Sequence, residues 1–157
     1  PKEISEEVLD KWITHFNTWE ICDSFCMQLL KFHPLAIKKA LEWSKRANEF
    51  EKRAGFVLMA TYGFADKNAG NEVFEQFFPI LVEHANDERI YVKKAVNWAL
   101  RQIGKRNVDL QKKAIETANE ILKQSSRSAQ WIAKDALKEL QGEKVNILDY
   151  PRSIYRK

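Results

Sequence analysis

The chain has 157 residues and is 45% hydrophobic, with only 5 Gly and 4 Pro, which excludes disordered and collagen-like chains and fits one folded domain. No apolar run approaches the roughly 18 residues that cross a membrane, and two cysteines are too few for a disulfide scaffold. The net charge of +4 is uneven: residues 1–31 hold six acids against three bases, and residues 88–113 hold eight Lys or Arg against two acids.

Helical periodicity dominates and no strand-like alternation lasts. The spacing predicts helices over 5–16, 18–32, 34–46, 48–63, 71–85, 88–104, 108–124 and 127–141. Asn17 or Thr18 can cap the second helix. That helix carries Cys22 and Cys26 four residues apart, where helical geometry disfavours a disulfide. They read as small core residues in a reducing cytoplasm. Asp23 shares a face with Trp19, Cys26, Met27 and Leu30, all apolar or nearly so. An ionised carboxylate costs several kcal/mol to strip of water without a partner. Either this face opens onto a groove, or Asp23 finds a cation or a backbone donor.

Further along, Pro34 suits the first turn of the third helix. Asn48 can open the fourth, and the stretch from Gly63 to Gly70 ends it. Pro79 should kink or split the fifth. Asp87 can cap the sixth, Gly104 closes it, and Asn107 caps the next. Residues 1–142 form the helical domain, and 143–157 read as an extended basic tail.

A repeat runs through the helices. Phe50-Glu51-Lys52-Arg53-Ala54 is echoed 41 residues later by Tyr91-Val92-Lys93-Lys94-Ala95, and Ala54, Ala95 and Ala136 are equally spaced, as are Phe50, Tyr91 and Ile132. Self-similarity of this length marks a helical-repeat array of the HEAT or armadillo kind. The expected fold is therefore all-α, an α-α superhelix of HEAT-like helix pairs with a concave basic groove. In the second copy Tyr91, Lys94, Trp98 and Arg101 fall on one stripe. A core face excludes charge and a solvated face seldom carries Trp, so alternating rings and cations suit phosphates with sugars or bases.

These motifs together resemble the DNA alkylation repair family of HEAT-like glycosylases, the AlkD-like proteins. The resemblance rests on Trp19 four residues ahead of Asp23. It continues with Trp43-Ser44 and with Lys52-Arg53-Ala54, and closes on Lys94-Ala95 followed by Trp98-Ala99-Leu100-Arg101. It spans roughly residues 12–141. In the family two arginines often stand where this chain has Lys52-Arg53, and a Trp where it has Phe50.

The resemblance implies hydrolysis of the N-glycosidic bond of N3- or N7-alkylated purines in double-stranded DNA. Asp23 is then the catalytic carboxylate, with Trp19 and Trp98 presenting π-faces to the cationic base or sugar. Arg53 and Arg101 would hold phosphates, with Lys94 and Lys52 beside them and Lys93, Lys105 and Arg106 extending the track. Each has a plainer reading: Trp19 and Trp98 as wedges between helices, and the arginines as surface ion pairs with Glu. Trp12, Trp43 and Trp131 are assigned to the core. No metal site, Gly-rich phosphate loop or Ser/His/Asp set is legible, so the expectation is a cytoplasmic monomer without metal, cofactor or membrane. Two alternatives stand: a non-catalytic HEAT-like protein that binds damaged or branched DNA, and a protein-interaction scaffold.

Overall fold

Short polar side chains set most helix starts by accepting a free backbone N–H. The computed structural model describes residues 2–142 and 145. Within them α1 (Glu6–Ile13) is capped by Ser5, α2 (Trp19–Gln28) by Thr18, and a 3-10 turn covers Leu30–Phe32. α3 (Ala36–Trp43) follows, and Asn48 opens α4 (Glu49–Ala65) by accepting from the N–H groups of Phe50 and Glu51 at 3.0 and 3.2 Å. α5 (Asn71–Glu75) and α6 (Phe78–His84) lead to α7 (Ile90–Gly104). Asn107 caps α8 (Val108–Leu122) and Ser126 caps α9 (Arg127–Leu140).

The differences from expectation have local causes. Pro79 divides the fifth segment into α5 and α6, because a ring without an N–H is accepted only in a first turn. α3 starts beyond Pro34, after a turn in which the His33 ring accepts from the Leu35 N–H at 3.1 Å. Asp87 does not cap α7. Arg89 holds that place with no side-chain cap, and Asp87 Oδ1 accepts from the Arg89 N–H just ahead of the helix. The tail assigned to 143–157 lies outside the described residues apart from Val145.

The repeat survives as packing. Ala54, Ala95 and Ala136 are each fully buried, and the Phe50 and Tyr91 rings meet at 5.4 Å. Small residues at this position let α4, α7 and α9 sit side by side, with α2 against α4 at the start of the row. α3 and α8 pack behind that row. Two glycines permit close approaches: a Cβ on Gly55 of α4 would lie 2.3 Å from the Ser44 nitrogen at the end of α3, and one on Gly104 of α7 would lie 2.6 Å from Leu140 Cδ2 of α9. All the described regular structure is helical, and no described helix is long and apolar enough to cross a membrane.

Cys22 and Cys26 are buried and free, with thiols directed at the carbonyls of Phe50 and Ala54. Burial, together with the adjacent Cys22, raises the Cys26 thiol well above its ordinary value. Trp43 is fully buried and its indole N–H donates to Asp10 at 2.8 Å. Trp12 and Trp131 depart from the core assignment, at 36% and 39% exposed. Trp12 lies edge-on to Phe25 at the rim, and Trp131 stands on the exposed side of α9.

Candidate nucleic-acid interface

Asp23 sits one turn after Trp19, the first residue of α2, so their side chains share a face. The question its sequence raised is answered by a cation. Arg53 of α4 donates from Nε to Oδ1 at 2.9 Å and from Nη2 to Oδ2 at 2.7 Å. Its remaining nitrogen, Nη1, donates to the Tyr91 carbonyl of α7 at 2.7 Å, and the guanidinium carbon lies 5.9 Å from the Tyr91 ring centre. One planar fork thus ties three helices together, a geometry open to Arg and closed to Lys. The Arg53 side chain is 9% exposed and that of Asp23 is 14%, so the pair lies mostly buried between α2 and α4.

Arg53 is therefore directed inward to Asp23 and Tyr91, away from the phosphate position assigned to it. Lys52 is committed likewise: it is 9% exposed and its ammonium meets Asp87 at 2.9 Å. Arg89 adds a paired contact to the same carboxylate. Burial disfavours the charged form of Asp87, but the hydrogen bonds from Arg89 and Lys52 outweigh it and hold the carboxyl well below its ordinary value. Arg106 is buried and donates to the carbonyls of Gly63, Asp66, Lys67 and Ala69, closing the loop after α4. It is no part of an exposed phosphate track.

The α7 stripe is more open. Lys94 is exposed and has no ion pair or hydrogen bond among the described residues. Trp98 is half-buried and packs on the core. Arg101 is half-exposed but engaged, through Nε to Asn97 at 2.8 Å and Nη1 to Glu139 at 2.8 Å, with Asp135 at 3.7 Å. Lys105 meets Glu139 at 2.6 Å. Trp19 is 43% exposed. Of the expected site residues, Asp23 and Arg53 are in direct contact and Trp19 adjoins them on α2. Trp98, Lys94 and Arg101 lie along α7, behind Tyr91 in sequence.

Two features were missed in the sequence. Arg53 and Lys94 occupy equivalent repeat positions yet have opposite fates, because only Arg53 faces an unpaired carboxylate on the preceding helix. The repeat spacing signalled their equivalence, but nothing in it signalled that partner. The second is a cluster of Glu6, Asp10 and Glu42 around Lys39, whose ammonium lies 2.8, 2.8 and 2.7 Å from them. Hydrogen bonds from Lys38 and Lys39 draw Glu6 down to about 2. The cluster ties α1 to α3 and its charge is answered internally.

A family model described as DNA alkylation repair enzyme matches residues 2–140. The chain belongs to that family. No curated protein matches it significantly. Among solved structures, one similar chain comes from a group described as related to the HEAT-like repeat DNA glycosylases, with affinity for branched DNA structures. The TM-score is 0.65 at 22% identity, covering 97% of this chain and 67% of that one. At that identity the likeness establishes the fold, the HEAT-like helical array of this repair family.

Proposed function

We propose that this repair-family chain acts on double-stranded DNA as a glycosylase, hydrolysing the N-glycosidic bond of N3- or N7-alkylated purines as a monomer. Family membership supports the substrate class. One observation carries the site: the Asp23 carboxylate, on a side chain that keeps 14% of its exposure, is held in a single orientation by Arg53, one turn from an exposed indole.

An alkylated purine already bears positive charge and departs as a neutral base, so no general acid is required. The C–N bond breaks with its electron pair going to the base, leaving cationic character on the deoxyribose. Water then bonds to the anomeric carbon and releases a proton. A fixed carboxylate oxygen favours that cation and can orient the water. The Asp23–Arg53 pair has no net charge, so its help is dipolar and short-ranged, and the sugar must come directly against the carboxylate. Indole faces from Trp19 and Trp98 would favour the cation by about 0.5–2 kcal/mol each.

The same clamp favours a second reading. An Asp23 whose charge is answered by Arg53 suits a protein that binds branched or damaged DNA by shape without chemistry; the group of the similar solved structure is described as having affinity for branched DNA structures. Release of N7-methylguanine and N3-methyladenine from methylated DNA by wild type and Asp23→Asn decides between them. The glycosylase reading expects release by wild type and near-complete loss in the variant, whose fold is checked by circular dichroism. Absence of release by wild type, with tight binding to a four-way junction, would establish the binding reading instead.

A further inference from the structure

The family signature lies on α2, α4 and α7, yet an open cationic surface also lies on α9. Arg127, Trp131, Lys134 and Lys138 follow one another at four, three and four residues, which sets them on one stripe. All are exposed, and none of the three cations has an ion pair or hydrogen bond among the described residues. Trp131 is 39% exposed, and Lys93 of α7 places its ammonium 5.5 Å from the indole centre. That contact joins the α9 stripe to α7, where Lys94 is also open.

The acids nearby are already answered. Asp135 and Glu139, on the line of α9 beside the stripe, face Arg101 and Lys105, and Glu88 accepts the Ser128 N–H at the start of α9. The stripe thus sets three cations that have no ion pair among the described residues around one exposed ring. Such a surface fits a polyanion with a stacking or sugar face.

We propose that the outward stripe of α9, with Lys93 and Lys94, is a second duplex-contact surface that holds DNA flanking the Asp23 site. Lysines and Arg127 bind phosphates, and Trp131 rests on a sugar of the same strand. Since α4, α7 and α9 are successive neighbours at about 8–10 Å each, the surface lies about 20 Å from α4, or roughly six base-pair steps at 3.4 Å. The proposal rests on DNA being the ligand and does not require that the chain cleave it.

The test is DNA affinity as a function of salt for the full chain, with the doubly substituted Lys134→Gln, Lys138→Gln protein and with Trp131→Ala. The lysine pair should reduce the magnitude of the log–log salt slope by about 1.8, at about 0.9 per phosphate contact. Trp131→Ala should weaken binding about tenfold at fixed salt with little change in slope, and Trp131→Phe should restore most of it. As a control, Lys112→Gln with Lys123→Gln alters exposed lysines on α8 and at its C-terminal cap. An equal effect from that control, or none from the α9 changes, overturns the proposal while leaving DNA binding intact. Lost affinity for anionic phospholipid vesicles without lost DNA affinity would assign the stripe to a membrane surface and also overturn it. No DNA binding by wild type would overturn both this surface and the proposed function.

Discussion

Arg53 holds both carboxylate oxygens of Asp23, at 2.9 and 2.7 Å, while its third nitrogen grips the backbone of α7 at Tyr91. The residue expected to meet a phosphate is thus the one that fixes the expected catalytic acid. Removing either partner does different damage, and that difference can be measured.

Arg53→Ala strips Asp23 of its only ion-pair partner among the described residues and should cost about 3–5 kcal/mol, because a nearly buried charge is left unanswered. Asp23→Asn should cost less, since the amide can still accept from the guanidinium. The double variant should be far less damaged than the two single effects added together. Urea denaturation of the four proteins measures this, and additivity within about 0.5 kcal/mol would mean the pair is not coupled.

Acid stability should depend on Asp87. Its folded carboxyl lies below the ordinary 3.8, so below that value the unfolded chain binds the extra proton first. The stabilisation is complete above 3.8 and fades as pH falls through the lower folded value. Asp87→Asn should therefore lower the melting temperature near neutrality and flatten its decline between about pH 5 and pH 2. An acid limb as steep as that of wild type would show that other carboxylates govern it.

Gly55→Ala should destabilise, although alanine is the better helix former by about 1 kcal/mol. The new methyl would fall 2.3 Å from the Ser44 nitrogen and 2.9 Å from the Ala40 oxygen, both backbone atoms. α3 and α4 would have to separate, at about 1–3 kcal/mol or more. A melting temperature equal to or above that of wild type would show that the helices part easily.

Glu139 restrains Arg101 of the α7 stripe and Lys105 just beyond the helix. Hydrogen bonds from Lys105 and Arg101 overcome burial to lower its carboxyl from the ordinary value. Glu139→Gln should free Arg101 and Lys105 for phosphates, tightening DNA binding at low salt and steepening its salt dependence. Filter-binding or anisotropy titrations at several salt concentrations read both. Unchanged affinity and slope would remove Arg101 from the DNA contact.

Periodicity and repeats were legible in the sequence because they are local or self-referring. The helices, the caps at Thr18, Asn48 and Asn107, the break at Pro79 and the buried Ala54–Ala95–Ala136 line all follow from spacing and backbone chemistry. So does the oddity of Asp23 on an apolar face, which the need to solvate a charge makes visible without coordinates. The partner of that charge was not legible. Arg53 and Lys94 share a repeat position, and only the placement of α2 against α4 decides that one guanidinium turns inward while the other side chain stays in water. The same holds for Trp43 and Trp131: an indole's burial depends on which helices stack beside it, and that is settled by tertiary packing, not by its neighbours in the chain.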